Sequence, residues 1–146
     1  MDKNKFLIDL SESARTDFGR VDFSQQSDEQ QVFSAIWELE SQVNNGGFEQ
    51  YFSSESCETA DFAPTALRRI GAHQCAEIVA KALRVVSHEP LPKDPATRSD
   101  LIASLGESQR EELESLDSEF FSYPDDLTGL LFEFVRAHPN VFGAVT

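Results

Sequence analysis

Glu40 is the side chain that comes closest to what an active site requires. It follows Ile36 and Trp37 by four and three residues, on the apolar side of a predicted helix, and a buried carboxylate can act as a tuned acid or base. Structural ion pairs also perturb carboxylates, and Arg68 or Arg69 is the partner that we expect for Glu40. An enzyme would combine Glu40 with polar groups near the following Gly46-Gly47 turn: Gln50, Tyr51 and His73.

The remaining candidates for chemistry are isolated. His73 and Cys75 are two residues apart, which places them on different sides of a helix, and zinc sites need four ligands in recognisable pairs. Cys57 is flanked by Glu55 and Glu58, and nearby carboxylates raise a thiol pKa, which is the wrong direction for a nucleophile. No nucleotide-binding or hydrolase motif is present. We therefore predict no catalytic residue, no metal, no cofactor and no enzymatic activity.

Acidic residues dominate the composition. The chain has 26 Asp and Glu against 12 Lys and Arg, a formal net charge of -14, and no base occurs in residues 21–67 or 111–135. Such an excess repels nucleic acid and anionic membranes, because both attract proteins mainly through Lys and Arg. We therefore predict no direct nucleic-acid binding, no membrane contact and a basic partner protein.

Two sets of acids are predicted to form the partner-binding surface. Four of them have spacings of four, three and three residues along one helix, opposite its apolar side. A solvated acidic face that only promotes solubility is the simpler interpretation. The first set is Glu107, Glu111, Glu112, Glu114, Asp117, Glu119, Asp125 and Asp126. The second set is Asp28, Glu29, Glu38, Glu49, Glu55 and Glu58.

The elements that must position these residues are helical. Apolar residues recur with a helical period throughout, which predicts an all-α, single-domain bundle of about six or seven helices over residues 1–146. Ser27 is expected to cap the second helix, with Gln30 completing a capping box, and the Gly46-Gly47 turn to end it. Pro90, Pro92 and Pro95 predict an extended connection at residues 87–98.

The location predicted from the sequence is the cytoplasm. No apolar run approaches the roughly 18 residues that span a bilayer, and the N-terminus lacks the apolar stretch of a signal peptide. Two cysteines are too few for a disulfide framework in a chain of 146 residues. Both thiols are therefore expected to be reduced.

One segment contains the pattern Asn-Gly-Gly-Phe-x-Gln-Tyr-Phe, formed by Asn45, Gly46, Gly47, Phe48, Gln50, Tyr51 and Phe52. This pattern resembles that of a bacterial family of small helical domains catalogued as of unknown function. A second piece, Ala66-Leu67 followed by Ile70-Gly71-Ala72, leads into an Ala-rich helix. The motif is interpreted as a fold signature, in which the aromatic residues pack and the glycines turn the chain.

The resemblance implies a DNA mimic, because this family includes a protein that presents carboxylates in place of phosphates and occupies the DNA-binding surface of a transcription factor. We therefore expect a regulator of transcription that binds a basic DNA-binding protein and blocks its DNA binding. Pairs of bases, such as Lys81 with Arg84, would confine a mimic surface to part of the protein. Two alternatives stay open: a small enzyme with a site around Glu40 and the Gly46-Gly47 turn, and a helical adaptor or immunity-type inhibitor. The oligomeric state, monomer or homodimer, also stays open.

Overall fold

The computed structural model describes residues 1–54 and 58–145. Within them the chain forms helices and no strand, which confirms the all-α prediction, and seven helices have at least seven residues. The helices are α1 (Lys3–Ser11), α2 (Asp28–Ser53), α3 (Ala63–Arg69), α4 (His73–Val86), α5 (Pro95–Ala103), α6 (Glu107–Phe121), α7 (Leu127–Arg136) and the short α8 (Pro139–Phe142). A 3-10 turn, Phe23–Gln25, precedes α2.

Helix α2 is the centre of the bundle. It packs against α3, α5 and α6, while α4 lies against α3 and α6, and α1 packs against α7. All eight helices contribute to one contiguous apolar core, whose largest fully buried rings include Phe33, Phe48 and Phe120. None of the helices in the described part of the chain has the length and apolar character needed to cross a membrane.

The start of α2 differs from the expected capping box. The Ser27 side chain accepts a hydrogen bond from the Gln30 amide, which confirms the cap. The Gln30 side chain does not return to Ser27; its oxygen accepts from the Asp17 amide at 3.0 Å and from the Thr16 hydroxyl at 3.2 Å. Gln30 therefore holds the α1–α2 connection against the core, and this half of the capping-box prediction is wrong.

The glycine pair interrupts α2 with a sharp bend, at the position where the sequence predicted that one helix ends and the next begins. Gly46 and Gly47 have non-helical backbone angles, and Gly47 lies at φ 80° and ψ -176°. The bend opens a new helix start at Phe48, whose amide donates to Oδ1 of Asp117 on α6 at 2.8 Å. The motif aromatics Phe48, Tyr51 and Phe52 are fully buried after the bend, as expected for a fold signature.

The Pro-rich connection is shorter than predicted. Residues 87–94 are non-helical, but Pro95 begins α5, because proline is compatible with the first helical turn. Asp94 caps this helix by accepting from the Thr97 amide at 3.0 Å. Arg98 is only 3% exposed, and its guanidinium donates to the carbonyls of Pro92 and Lys93, both at 3.1 Å. The connection is thereby tied to the bundle.

Candidate functional site

Helix α6 carries most of the exposed acids of the first predicted set. Its buried side consists of Leu113, Leu116 and Phe120, and the helical period directs the intervening glutamates outward. The exposed carboxylates are Glu107, Glu111, Glu112, Glu114 and Glu119. No ion pair joins any of these five to a base in the described part of the chain. We call them the α6 row.

The one base on α6 does not neutralise this row. Arg110 turns toward the bend of α2, where it forms an ion pair with Glu49. The same guanidinium donates to the carbonyls of Ile102 at 3.0 Å and Ala103 at 3.3 Å. Arg110 is therefore fully engaged, and Glu49, which belongs to the second predicted set, carries a compensated charge.

The row has two sides with different electrostatic surroundings. Glu112 lines a shallow depression together with Lys81 and Arg84 of α4, and Glu119 lines another that also includes Lys81. Steps of three and four residues place Glu107, Glu111 and Glu114 on one side of α6, turned away from α4. The uncompensated negative charge is therefore concentrated at these three glutamates.

The aspartates of the first set accept hydrogen bonds from backbone amides. Asp117 accepts from Phe48, as described above, and burial raises the pKa of its carboxyl, an effect that this hydrogen bond partly offsets. Asp125 accepts from the Cys75 amide at 2.8 Å, at the start of α4. Asp126 is exposed and caps α7 by accepting from the Gly129 amide at 3.1 Å. The structure thus separates these three carboxylates from the α6 row by the contacts that they make.

The second set of acids does not form a continuous row in the described residues. Asp28 and Glu29 lie in the first turn of α2, and Glu38, a half-buried residue, accepts from the Gln42 amide group at 2.9 Å. Glu38 and Glu58 line a depression that also contains Arg20. Glu55 lies outside the described residues.

Glu40 is mostly buried, but its partner is not an arginine. The Tyr123 hydroxyl lies beside its carboxyl, and this hydroxyl hydrogen-bonds to the Asn44 side-chain amide, 3.2 Å from its nitrogen and 3.3 Å from its oxygen. Burial raises the pKa of Glu40 to about 7, and the Tyr123 hydroxyl lowers it only in part. The prediction that Arg68 or Arg69 pairs with Glu40 was wrong. Arg68 lies 3.6 Å from Glu77, and Arg69 lies over the Phe134 ring.

The other groups considered for an enzyme site have separate surroundings. The Tyr51 hydroxyl and the Thr59 hydroxyl are 2.5 Å apart in the core. The Gln50 amide group donates to Gln42 at 3.1 Å, and His73 is exposed at the start of α4. None of the three lines the cleft at Glu40, so the structure does not bring these groups together.

The cysteine and histidine candidates remain dispersed. Over residues 1–54 and 58–145, no three side chains of His, Cys, Asp or Glu converge as metal ligands would. Cys75 is a buried free thiol, and burial, together with the nearby Asp125 and Glu40 carboxylates, raises its pKa to about 12. Cys57 lies outside the described residues.

Sequence reasoning missed Tyr123, the residue whose hydroxyl lies beside Glu40. It is the single described non-glycine residue with a positive φ, 49°, in the turn between α6 and α7. It lies 79 residues from its other partner, Asn44, so no local spacing connects them. The signal available in the sequence was Pro124. A residue before proline is disfavoured in a helix, so Pro124 indicates that Tyr123 lies in a turn after α6.

A family profile described as DMP19-like protein matches residues 24–138. No curated protein matches the chain. No solved structure matches it either.

Proposed function

The chain belongs to the DMP19-like protein family, and we propose that it acts as a DNA mimic. In this proposal its acidic surface binds a basic DNA-binding protein, such as a transcription factor, and blocks that protein's access to DNA. The interaction is non-catalytic and needs no cofactor. It takes place in the cytoplasm, where such a partner would be found.

The observation that supports the proposal is the α6 row, whose five carboxylates form no ion pair with a described Lys or Arg. Five exposed glutamates lie on one helix, and its only base, Arg110, is held by Glu49. A carboxylate without an internal partner stays hydrated, so it can pair with an incoming Lys or Arg without breaking an existing ion pair. A surface of like charges also steers an oppositely charged partner and accelerates its association.

The charge spacing of the α6 row resembles that of one DNA strand. Glu107 and Glu119 are separated by about 18 Å along the axis, since a helix rises about 1.5 Å per residue. Along the axis, the five charges on the two sides of the helix are spaced by about 4.5 Å on average, compared with about 3.4 Å for one strand of B-DNA and about 1.7 Å for the duplex. The row therefore matches one strand more closely than two.

A compact acidic patch, used by an adaptor or immunity-type inhibitor, is the second candidate function. It is favoured by the interrupted second set, in which Glu49 pairs with Arg110 and Glu38 shares a depression with Arg20. The two candidates differ in their competition with DNA. A mimic and DNA exclude each other from the partner, whereas a patch that binds elsewhere leaves the partner's DNA complex intact.

The first experiment identifies and tests the partner. The immobilised chain is incubated with native cell extract at low salt, recovered proteins are identified by mass spectrometry, and each is tested for DNA binding with and without the chain. We expect a basic DNA-binding protein whose affinity for the chain falls steeply with salt. Recovery of no DNA-binding protein, or a complex that leaves DNA binding unchanged, refutes mimicry.

Two charge variants locate the surface on the chain. The first carries Glu107→Gln, Glu111→Gln and Glu114→Gln. The matched control carries Glu12→Gln, Glu89→Gln and Asp100→Asn, which are exposed residues outside α6; each variant changes the net charge from -14 to -11 by removing three acids. At about 0.5–1 kcal/mol per exposed pair, the loss of three pairs costs about 1.5–3 kcal/mol, so the α6 variant should bind the partner at least about tenfold more weakly. Equal weakening by both variants would indicate a net-charge effect and no specific surface.

A further inference from the structure

We propose that the cleft beside Glu40 binds a primary ammonium or guanidinium group, as found at the ends of lysine and arginine side chains. The cleft lies between α1, α2 and α7 and has a volume of about 230 Å³. This is below the roughly 300 Å³ of ordinary small-molecule pockets, so the cleft suits a single side-chain-sized group. Its polar and aromatic lining is Asn4, Trp37, Glu40, Ser41, Asn44 and Thr128.

The carboxyl of Glu40 gives the cleft its preference for a cation. No described Lys or Arg lies within 4.0 Å of this carboxyl, and the neighbouring Tyr123 hydroxyl is itself hydrogen-bonded to the Asn44 side chain. A buried carboxylate without a counter-ion is costly, and a cation that enters the cleft would remove this cost. The neighbouring lining groups are neutral, so they do not compete with the ligand for Glu40.

The other walls of the cleft provide an aromatic ring and neutral oxygen acceptors, which also favour an ammonium group. The indole of Trp37 stacks on Phe33 with 5.6 Å between ring centroids and also lines the cleft. Tryptophan is the aromatic residue that attracts cations most strongly through its ring face. The side-chain oxygens of Asn4, Ser41 and Thr128 can accept the N–H groups that Glu40 does not reach.

Ligand binding should be coupled to one proton. The ionisable groups near Glu40 are Tyr123 and Cys75, both with raised pKa values, and α1 and α7 contribute only uncharged groups to the cleft. Because burial raises the pKa of Glu40 to about 7, the carboxyl is partly protonated near neutral pH. A bound cation favours the ionised form, so binding releases this proton and strengthens as the pH rises.

The inference stands without the proposed DNA mimicry, because it concerns the isolated chain and a small probe. The chain contains a single tryptophan, so its indole N–H signal in a proton–nitrogen NMR spectrum reports on the cleft directly. We would titrate n-butylammonium and methylguanidinium at fixed ionic strength, with n-butanol as the uncharged probe. The cationic probes should shift the indole signal saturably, and n-butanol should not.

Glu40→Gln is the decisive variant, and Glu38→Gln is its matched control. Both remove one acid from α2, but Glu38 lines a different depression. We expect Glu40→Gln to weaken probe binding about tenfold or more and Glu38→Gln to leave it unchanged, since a charged hydrogen bond is replaced only at the first position. Unsaturable shifts, equal affinities of the two variants, or equal binding of n-butanol would overturn the proposal.

Two further measurements use the wild-type chain and do not depend on any variant folding. Probe affinity should fall about tenfold for each pH unit well below the pKa of Glu40, and a pH-independent affinity would contradict the site. A capped Gly-Lys-Gly peptide then distinguishes the sources of the cation. Binding equal to that of n-butylammonium points to a partner's lysine, and binding of the free amine alone points to a small amine ligand.

Discussion

The substitution Gly47→Ala tests how the motif glycines build the bend in α2. Gly47 has φ 80° and ψ -176° and is buried. A Cβ atom at this position would lie 2.5 Å from Oδ2 of Asp117, the carboxylate whose other oxygen accepts from the Phe48 amide at 2.8 Å. An alanine therefore meets a backbone conformation reserved for glycine and also displaces the residue that satisfies the new helix start.

The two effects can be estimated separately. Holding a residue other than glycine in this backbone region costs about 1–3 kcal/mol. Moving Asp117 leaves the Phe48 amide without its acceptor, which costs about 1–2 kcal/mol, as for the loss of a helix cap. We expect the free energy of unfolding to fall by about 2–5 kcal/mol in total, a large share of the stability of a small domain.

Urea unfolding of Gly47→Ala, two single control variants and one double variant measures both effects. Gly19→Ala is the control for backbone strain, because Gly19 has φ +73° and a Cβ added there would have no atom within 4 Å; a loss of about 1–2 kcal/mol is expected there. Asp117→Ala removes the contact, so Gly47→Ala should cost less in that background than in the wild type. A loss for Gly47→Ala no larger than that for Gly19→Ala, or strictly additive effects with Asp117→Ala, would refute the reasoning.

Two further predictions concern buried ionisable groups. The folded state raises the pKa of Glu40 from 4.5 to about 7, so it retains a proton that the unfolded chain loses, and stability falls as the pH rises through this window. Urea unfolding at about pH 4 and about pH 8 should show Glu40→Gln gaining about 3 kcal/mol relative to the wild type between the two, and a constant difference would exclude this linkage. In a Cys57→Ser variant, Cys75 should react with Ellman's reagent only on unfolding, because it is buried with a pKa of about 12; rapid reaction of the native variant would contradict this.

The helical architecture could be predicted because its signals are local. The apolar period places Leu113, Leu116 and Phe120 on one side of α6, and all three are buried. Ser27 was recognised as a cap because serine favours that position, and it accepts from the Gln30 amide. Such signals depend on a few neighbouring residues, so they survive without knowledge of the tertiary fold.

The partners of the polar groups could not be predicted, because they depend on how distant elements pack. Glu40 was expected to pair with arginine, but the turn at Tyr123 reaches it from the far end of α6. Arg98 was assigned to an extended connection, yet it is buried and also donates to the Ser54 carbonyl at 2.6 Å. A charged side chain has many potential partners of similar energy, and only packing selects among them.

The length of the acidic side chain distinguishes the carboxylates that bind backbone amides from those that do not. Six aspartates accept hydrogen bonds from backbone amides: Asp2, Asp61, Asp94, Asp117, Asp125 and Asp126. No glutamate in the described part of the chain does so; the hydrogen bonds to Glu38, Glu49 and Glu133 all come from side chains. The reason is that a short carboxylate reaches nearby backbone groups and favours caps and turns, whereas glutamate favours helix interiors and extends into solvent.

The difference between aspartates and glutamates reduces the proposed partner-binding surface to the glutamates of the α6 row. Asp117, Asp125 and Asp126 face backbone amides, so neutralising them should destabilise the fold before it affects partner binding. The α6 row consists only of glutamates, which have no such structural duty and are free to pair with a partner's cations. A binding experiment that mixes the two residue types would therefore confuse unfolding with loss of the surface, whereas substitution of Glu107, Glu111 and Glu114 alone separates them.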